Sequence, residues 1–236
     1  MMAQVKALLF DVFGTLVDWR GSIAREAKAV LGARADGLDG IAFAEAWRAE
    51  YQPSMEQVRS GGRGYVLLDV LHRENLERIL PRFGLDDLSE ETKAALNRIW
   101  HRLDGWADVG AGLARLSARF WLAPCSNGHI ALMTGLARHN GWRWDAILGA
   151  EIARDYKPKP GVYASAAAAF DLRPEECMMV AAHSYDLTSA AEAGLRTAHV
   201  ARPLEFGEGG KGEKAPSVPV DHQASDLVDL ARKLGC

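Results

Sequence analysis

Val5-Lys6-Ala7-Leu8-Leu9-Phe10-Asp11-Val12-Phe13-Gly14-Thr15 is an apolar run that stops on an acid and then turns at a glycine. A short, unbroken apolar run of this kind reads as a strand covered on both faces, as in a parallel sheet. An acid at the carboxyl end of such a strand lies where open α/β sheets carry their chemistry. Asp11 is therefore a nucleophile, a metal ligand or a structural acid tied to backbone amides. Phe13, two residues on, limits the chemistry, because a phenyl ring neither shuttles a proton nor binds Mg²⁺. A nucleophilic Asp11 in this setting needs a leaving group that departs without protonation. Halide meets that requirement, whereas the alkoxide of a phosphate ester does not.

Working outward, four more apolar runs resemble parallel strands: Phe120–Cys125, a short Ala146–Leu148, Cys177–Ala182 and Thr197–Val200. Helical patterns at Ile130–Asn140, Val162–Phe170 and Leu187–Ala193 lie between them, with Pro160 placed to open one helix and Gly194 to stop another. The alternation predicts an α/β fold with a parallel sheet covered on both faces. The stretch 18–100 has a different texture. It carries helical patterns near Ile23–Leu31, Ile41–Tyr51, Tyr65–Leu80 and Glu90–Trp100, and no buried strand. Gly61-Gly62-Arg63-Gly64 divides it into hairpin-like halves, and Ser89 before Glu90 and Glu91 marks a helix start. Roughly eighty residues is far longer than an ordinary connection. The stretch therefore reads as a helical cap (18–100) inserted into a core formed by 1–17 and 101–236. The glycine-rich Phe206–Val220 run reads as a surface loop, without the spacing or following helix of a phosphate cradle, and Asp226–Leu234 as a closing amphipathic helix.

The 236 residues suffice for a full core with a smaller cap. With 48% hydrophobic and 25% charged residues the balance is that of an ordinary soluble protein, and a net charge of −3 gives no reason to expect a nucleic-acid partner. No apolar run is long enough for a membrane helix, and no early segment resembles a signal peptide. Cys125, Cys177 and Cys236 form an odd, sparse set, which points to a reduced, cytosolic protein without a disulfide framework.

Other residues can share the chemistry of Asp11. Ser126-Asn127-Gly128 follows a strand and precedes a helix, and offers either an anion site or a simple capping turn. Lys157, in Lys157-Pro158-Lys159-Pro160, is either an ammonium held towards carboxylates by a stiff loop or a solvated side chain. Tyr163 follows one turn into the next helix. Asp186 ends another strand-to-helix segment, Ala181-Ala182-His183-Ser184-Tyr185-Asp186, where it would position Lys157, orient water or cap the helix. His183 and Asp186 do not make a metal site, and His101, His129 and His139 are scattered without ligand spacing. Arg48, beside Trp47 and about a turn from Tyr51, either grips a substrate carboxylate or is solvated.

Taken together, Asp11-Val12-Phe13-Gly14-Thr15-Leu16, Trp47-Arg48, Ser126-Asn127-Gly128, Lys157-Pro158 with Tyr163, and the segment ending at Asp186 resemble the haloacid dehalogenase-like hydrolases, and within them the L-2-haloacid dehalogenase branch. The resemblance covers nearly the whole chain. It implies a Rossmann-like core with a helical cap, often a homodimer, acting on small 2-haloacids without metal or other cofactor. Carried over, it makes Asp11 the nucleophile. Thr15, Lys157 and Asp186 orient it and assist hydrolysis of the ester. Arg48, Ser126, Asn127, Tyr163, Phe13 and Trp47 surround the substrate. The branch commonly carries Ser and Asn where this chain has Ala181 and His183, so His183 either replaces the missing donor, acts as a base, or reshapes the pocket. A Mg²⁺-dependent phosphatase and a non-catalytic carboxylate-binding protein on the same fold are the alternatives.

Overall fold

The computed structural model describes residues 4–236. The first strand, β1 (Ala7–Phe10), is buried along its whole length. Leu8 and Phe10 pack on one face with Leu122 and Val180, and Ala7 and Leu9 on the other with Val162 and Tyr163. This two-residue alternation inside a continuous apolar run is what a sheet covered on both sides requires. The remaining strands are β2 (Trp121–Ser126), β3 (Leu148–Gly149), β4 (Cys177–Ala181), β5 (Arg196–Val200) and β6 (His222–Ala224). Among the described residues they form one parallel sheet in the order β3-β2-β1-β4-β5-β6, with Phe10 opposite Pro124 on one side and Val180 on the other. Because β1 lies at the centre, the loops after β1, β2 and β4 open onto one crevice at its carboxyl edge.

Between β1 and β2 the chain is helical: α1 (Trp19–Leu31), α2 (Gly40–Ala49), α3 (Tyr51–Arg59), α4 (Leu68–Ile79) and α5 (Glu90–Asn97), then a 3₁₀ turn at Arg98–His101 and α6 (Val109–Leu116). Asp18, Asp39 and Ser89 cap α1, α2 and α5 by accepting first-turn amides. The helix expected to run through Tyr51 instead breaks at Glu50 and restarts as α3, which carries Pro53 in its first turn, where a missing N–H costs no helical bond. α4 starts at Leu68 rather than Tyr65, because Leu67 is extended and Tyr65 and Val66 are engaged outside the helix. Val66 O accepts from Tyr156 Oη, and Tyr65 packs at a tilt against the Tyr156 ring. After β2 come α7 (Ile130–Asn140), α8 (Ala150–Ala153), α9 (Pro160–Ala168), α10 (Ser184–Glu192) and α11 (Leu227–Lys233). Among the described residues no helix is long and apolar enough to cross a membrane.

The strand expected at Ala146–Leu148 is shorter and later than its apolar pattern, and β6 and α6 were not anticipated; β6 is too short and polar to show a pattern. Gly149 marks the edge of the sheet with φ of 113°, and a Cβ there would lie 2.3 Å from the Ser126 carbonyl oxygen and 2.5 Å from its amide. Neither backbone atom can move without opening the β2–β3 pair. Gly149→Ala is therefore expected to lower the urea unfolding free energy by about 2 kcal/mol. An unchanged midpoint would show that this edge is not closely packed.

Candidate active site

Three loops at the carboxyl edge of the sheet bring Asp11, Lys157 and Asp186 together. Asp11 leaves β1 with its amide still bonded to Val180 O, which extends the ladder and aims the carboxylate into the crevice. Lys157 Nζ lies 2.9 Å from Asp11 Oδ1 and 2.5 Å from Asp186 Oδ2. Thr15 Oγ1 donates to Asp11 Oδ2 at 2.6 Å and accepts from the Ala182 amide, so one hydroxyl fixes the carboxylate to the β4 loop. All four side chains are buried. Burial alone would raise the Asp11 carboxyl, but Lys157 and His183 overcome it and hold the group well below the usual carboxylate range. The two carboxylates hold Lys157 well above its ordinary value against the same burial, so it stays an ammonium.

His183 adds a second cation. Its Nδ1 is 3.1 Å from Asp11 Oδ2 and its Nε2 is 2.9 Å from Glu205 Oε2. Burial would lower the ring, yet hydrogen bonds and charge from the two carboxylates raise it to about 10. Glu205 is itself buried and also accepts from Trp19 Nε1. It fits beneath the Asp11 loop because residue 14 is glycine: a Cβ on Gly14 would lie 2.1 Å from Glu205 Oε1, and its φ of 87° disfavours other side chains. Arg202 locks the same region, donating to Thr15 O and, bidentately, to Asp108.

Above this floor a 420 Å³ cavity opens between the two layers, lined by Trp19, Arg48, Tyr51, His183, Tyr185 and Phe206 among others. The Arg48 guanidinium stacks 4.0 Å from the Tyr51 ring centroid, near Trp19 and Phe13. Its Nη1 is buried and has no hydrogen-bond partner among the described residues. A cation in an aromatic cage with an unmatched donor is suited to an incoming anion. Phe13 packs edge-on against Trp100 and Tyr51 and forms an apolar wall two residues from Asp11.

A family profile described as haloacid dehalogenase-like hydrolase matches residues 5–194. The chain belongs to that family. It is also similar to the solved structure of a defluorinating L-2-haloacid dehalogenase, with 43% identity and a TM-score of 0.94 over 98% of this chain and 96% of the other. The L-2-haloacid dehalogenase of Xanthobacter autotrophicus superposes with a TM-score of 0.80 at 26% identity over 98% of each chain. (S)-2-haloacid dehalogenase 1 of Pseudomonas sp. strain CBS-3 is 28% identical over 99% of this chain and 98% of its own length.

Within this haloacid dehalogenase-like hydrolase, Asp11, Thr15, Lys157, Asp186 and His183 form one bonded cluster, with Arg48 and Phe13 above it. Two residues expected at the substrate are elsewhere. Trp47 is fully buried in the cap, donates to His72 O and packs on Phe43 and Trp100; burying an indole stabilises by about 3 kcal/mol, which accounts for its presence. Tyr163 lies behind Asp186, to which its hydroxyl donates at 2.5 Å, and it does not line the cavity. Ser126 and Asn127 also turn inward. Ser126 Oγ accepts from the Gly128 amide, and Asn127 Oδ1 accepts from the Lys157 amide, which leaves the Asn127 NH₂ as the donor of that pair. His129, and not Ser126 or Asn127, occupies the N-cap of α7.

The sequence did not reveal Glu205, Glu213 or Arg59. Glu213 accepts from the amide and hydroxyl of Ser184 at the start of α10, and Arg59 of α3 donates to Lys157 O at 2.9 Å. The only signal for Glu205 was a lone acid between Leu204 and Phe206. The histidines that looked scattered are partly gathered: Asp69, His101 and His129 place one ligand atom each within 4.8 Å of the others. His139 instead pairs with Asp104 at the surface.

The His183 arrangement has a definite pH consequence. Its folded pKa, about 10, lies above the ordinary 6.5, so its contribution to stability is complete below pH 6.5 and is lost as pH rises through 10. The difference in thermal midpoint between the unmodified protein and His183→Gln is expected to be largest near pH 6 and to shrink steadily towards pH 10. A difference that stays flat over this range would mean that the ring is neutral between its two carboxylates.

Proposed function

We propose that the protein hydrolyses short 2-haloalkanoic acids to 2-hydroxyacids and halide through an ester on Asp11. The observation that carries this reading is the pairing of a desolvated, bonded Asp11 with a neighbouring Phe13 and an unpaired Arg48 donor above it. We take residues 18–100 as the cap that supplies Arg48, closing on a core of 1–17 and 101–236.

In the first step an Asp11 oxygen attacks C2 of the haloacid. A C–O bond forms, the C–halogen bond breaks, and the electron pair leaves as halide, with inversion at carbon. Arg48 receives one of the two anions, the substrate carboxylate or the departing halide, and the Asn127 NH₂ is the nearby neutral donor. The apolar wall of Phe13, Tyr51 and Trp19 excludes water, which strengthens these contacts and leaves Asp11 poorly hydrated and reactive.

In the second step water attacks the Asp11 ester carbonyl. Ester formation has consumed the negative charge that helped to keep His183 protonated, so the ring loses its proton more readily. Neutral His183, oriented by Glu205, then takes a proton from water, while Lys157 and Thr15 stabilise the oxyanion of the tetrahedral intermediate. Collapse breaks the ester C–O bond, and the departing alkoxide takes the proton of the hydroxyl that water left on the Asp11 carbon, which restores the carboxylate; the proton shed by His183 before the attack and the halide are released overall. Tyr163 acts through Asp186 by holding the carboxylate that positions Lys157. The scheme requires no metal. A Mg²⁺ phosphatase needs a general acid where Phe13 stands, and a cation placed on Asp11 Oδ2 would meet the charged ring of His183.

Halide release from L-2-chloropropionate tests the reading directly. Asp11→Asn is expected to abolish it with the fold intact. Arg48→Ala should lower kcat/KM by about 10²–10³-fold, yet cost only about 1 kcal/mol of stability from the lost aromatic stacking. No turnover of any 2-haloacid by the folded protein, with Mg²⁺-dependent phosphate release instead, would overturn the assignment.

The two steps separate in Glu205→Gln. This variant keeps a polar contact to His183 but removes the charge that supports it as a base. One equivalent of halide should appear in a burst, followed by slow turnover, with a mass increase on the Asp11 peptide. Equal slowing of burst and steady state would remove Glu205 and His183 from the hydrolytic step.

A further inference from the structure

A second cluster, which shares no residue with the Asp11 crevice, joins three distant parts of the chain. Asp69 lies in the first turn of α4, His101 ends the 3₁₀ turn by which the chain returns to the core, and His129 follows the Ser126-Asn127-Gly128 loop. His101 Nε2 is 2.9 Å, and His129 Nε2 3.6 Å, from Asp69 Oδ2. Nitrogen and oxygen ligands about 2.0–2.2 Å from a tetrahedral zinc ion stand about 3.3–3.6 Å apart, so these separations lie close to a coordinating spacing. His129 is almost fully buried, its Nδ1 has no hydrogen-bond partner among the described residues, and its Nε2 is too far from Asp69 for a hydrogen bond. The Nε2 of this ring stands 3.6 Å from Asp69 without a hydrogen bond to it, and is therefore available to a cation shared with Asp69 and His101.

The surrounding charges are compatible with an ion that enters from solvent. Asp69 is partly exposed, which gives a path inward. Arg98 Nη1 lies 3.5 Å from Asp69 Oδ2 and 3.1 Å from His101 Nε2, but that side chain is 61% exposed and can swing away. On the core side Glu151, which accepts from the Ile130 amide, adds negative charge near His129.

We propose that Asp69, His101 and His129 bind one divalent transition-metal ion of the zinc class, with solvent in the remaining position, and that the ion pins the helical cap to the core. Two imidazoles and a carboxylate are the ligand set that such borderline ions favour. The clamp would act at the root of the loop whose Asn127 holds the Lys157 amide.

The test uses the full chain after chelator treatment, titrated calorimetrically with Zn²⁺ and, for its visible spectrum, Co²⁺. One equivalent should bind with a dissociation constant below about 10 μM, and the thermal midpoint should rise with metal concentration. Asp11→Asn should bind the same equivalent, which separates this cluster from the crevice. His129→Ala leaves a buried cavity and risks unfolding, so His101→Ala at the rim and Asp69→Asn are the deciding variants. Each should weaken binding by about tenfold or more while keeping the fold. Absence of saturable binding, or binding that persists unchanged in both variants, would overturn the proposal.

Discussion

Lys157 places a buried ammonium between the carboxylates of Asp11 and Asp186, and the geometry of the crevice depends on that contact. Two acids brought this close without a cation would repel, and one of them would take up a proton. Removing one partner of a buried pair typically costs about 3–5 kcal/mol, because the remaining charge stays desolvated. The pair is thus less a source of net stability than a condition for Asp11 to remain ionised inside the protein. The fold meets that condition from several directions. Asn127 and Arg59 hold the Lys157 backbone on either side, Tyr163 fixes Asp186, and Thr15 fixes Asp11.

The cap completes the site by making it dry. Arg48 alone on an exposed helix would be a hydrated cation of little consequence. Enclosed by Tyr51, Trp19 and Phe13, its charge acts through a poorly polarisable medium, where an anion is worth more to it than in water. The bonds from Arg59 to Lys157 O and from Tyr156 to Val66 O tie the two layers together at the loop that carries the lysine. The position of the cap helices and the placement of the ammonium therefore share the same short segment.

Much of this was legible in the sequence because it is local. An acid at the end of an apolar strand, a lysine in a proline-stiffened loop and an acid at the start of a helix each carry their own signal, and the βα alternation gives the sheet. What was not legible depends on three-dimensional approach. Trp47 adjoins Arg48 in sequence and Tyr163 lies one turn into the helix after the Lys157 loop, yet helix geometry turns them into packing and into the layer behind Asp186. Pro53 concealed a helix because proline is usually a breaker, although not in a first turn. Glu205 lies in a loop with no periodicity, and only the folded chain shows that its carboxylate reaches beneath Asp11. His101 and His129 are far apart in sequence from Asp69, so no local spacing could announce the cluster.

His183 shows why a departure from a family pattern should be read with its neighbours. An imidazole facing one carboxylate could rotate or carry its proton on either nitrogen. With Asp11 on Nδ1 and Glu205 on Nε2, both nitrogens are committed, and the ring is charged and fixed in the resting state. That requires room for Glu205, which Gly14 provides by lacking a Cβ, and it requires a loop held in place, which Arg202 provides through Thr15 O and Asp108. Ala181, at the other end of the same segment, is fully buried and offers no hydroxyl to a water. The polar contacts of this segment are made by the His183–Glu205 pair, which residues on two other loops support. An exchange of Asn for His at position 183 alone, without Gly14 and Glu205, would place a second cation beside Lys157 with only Asp11 to balance both.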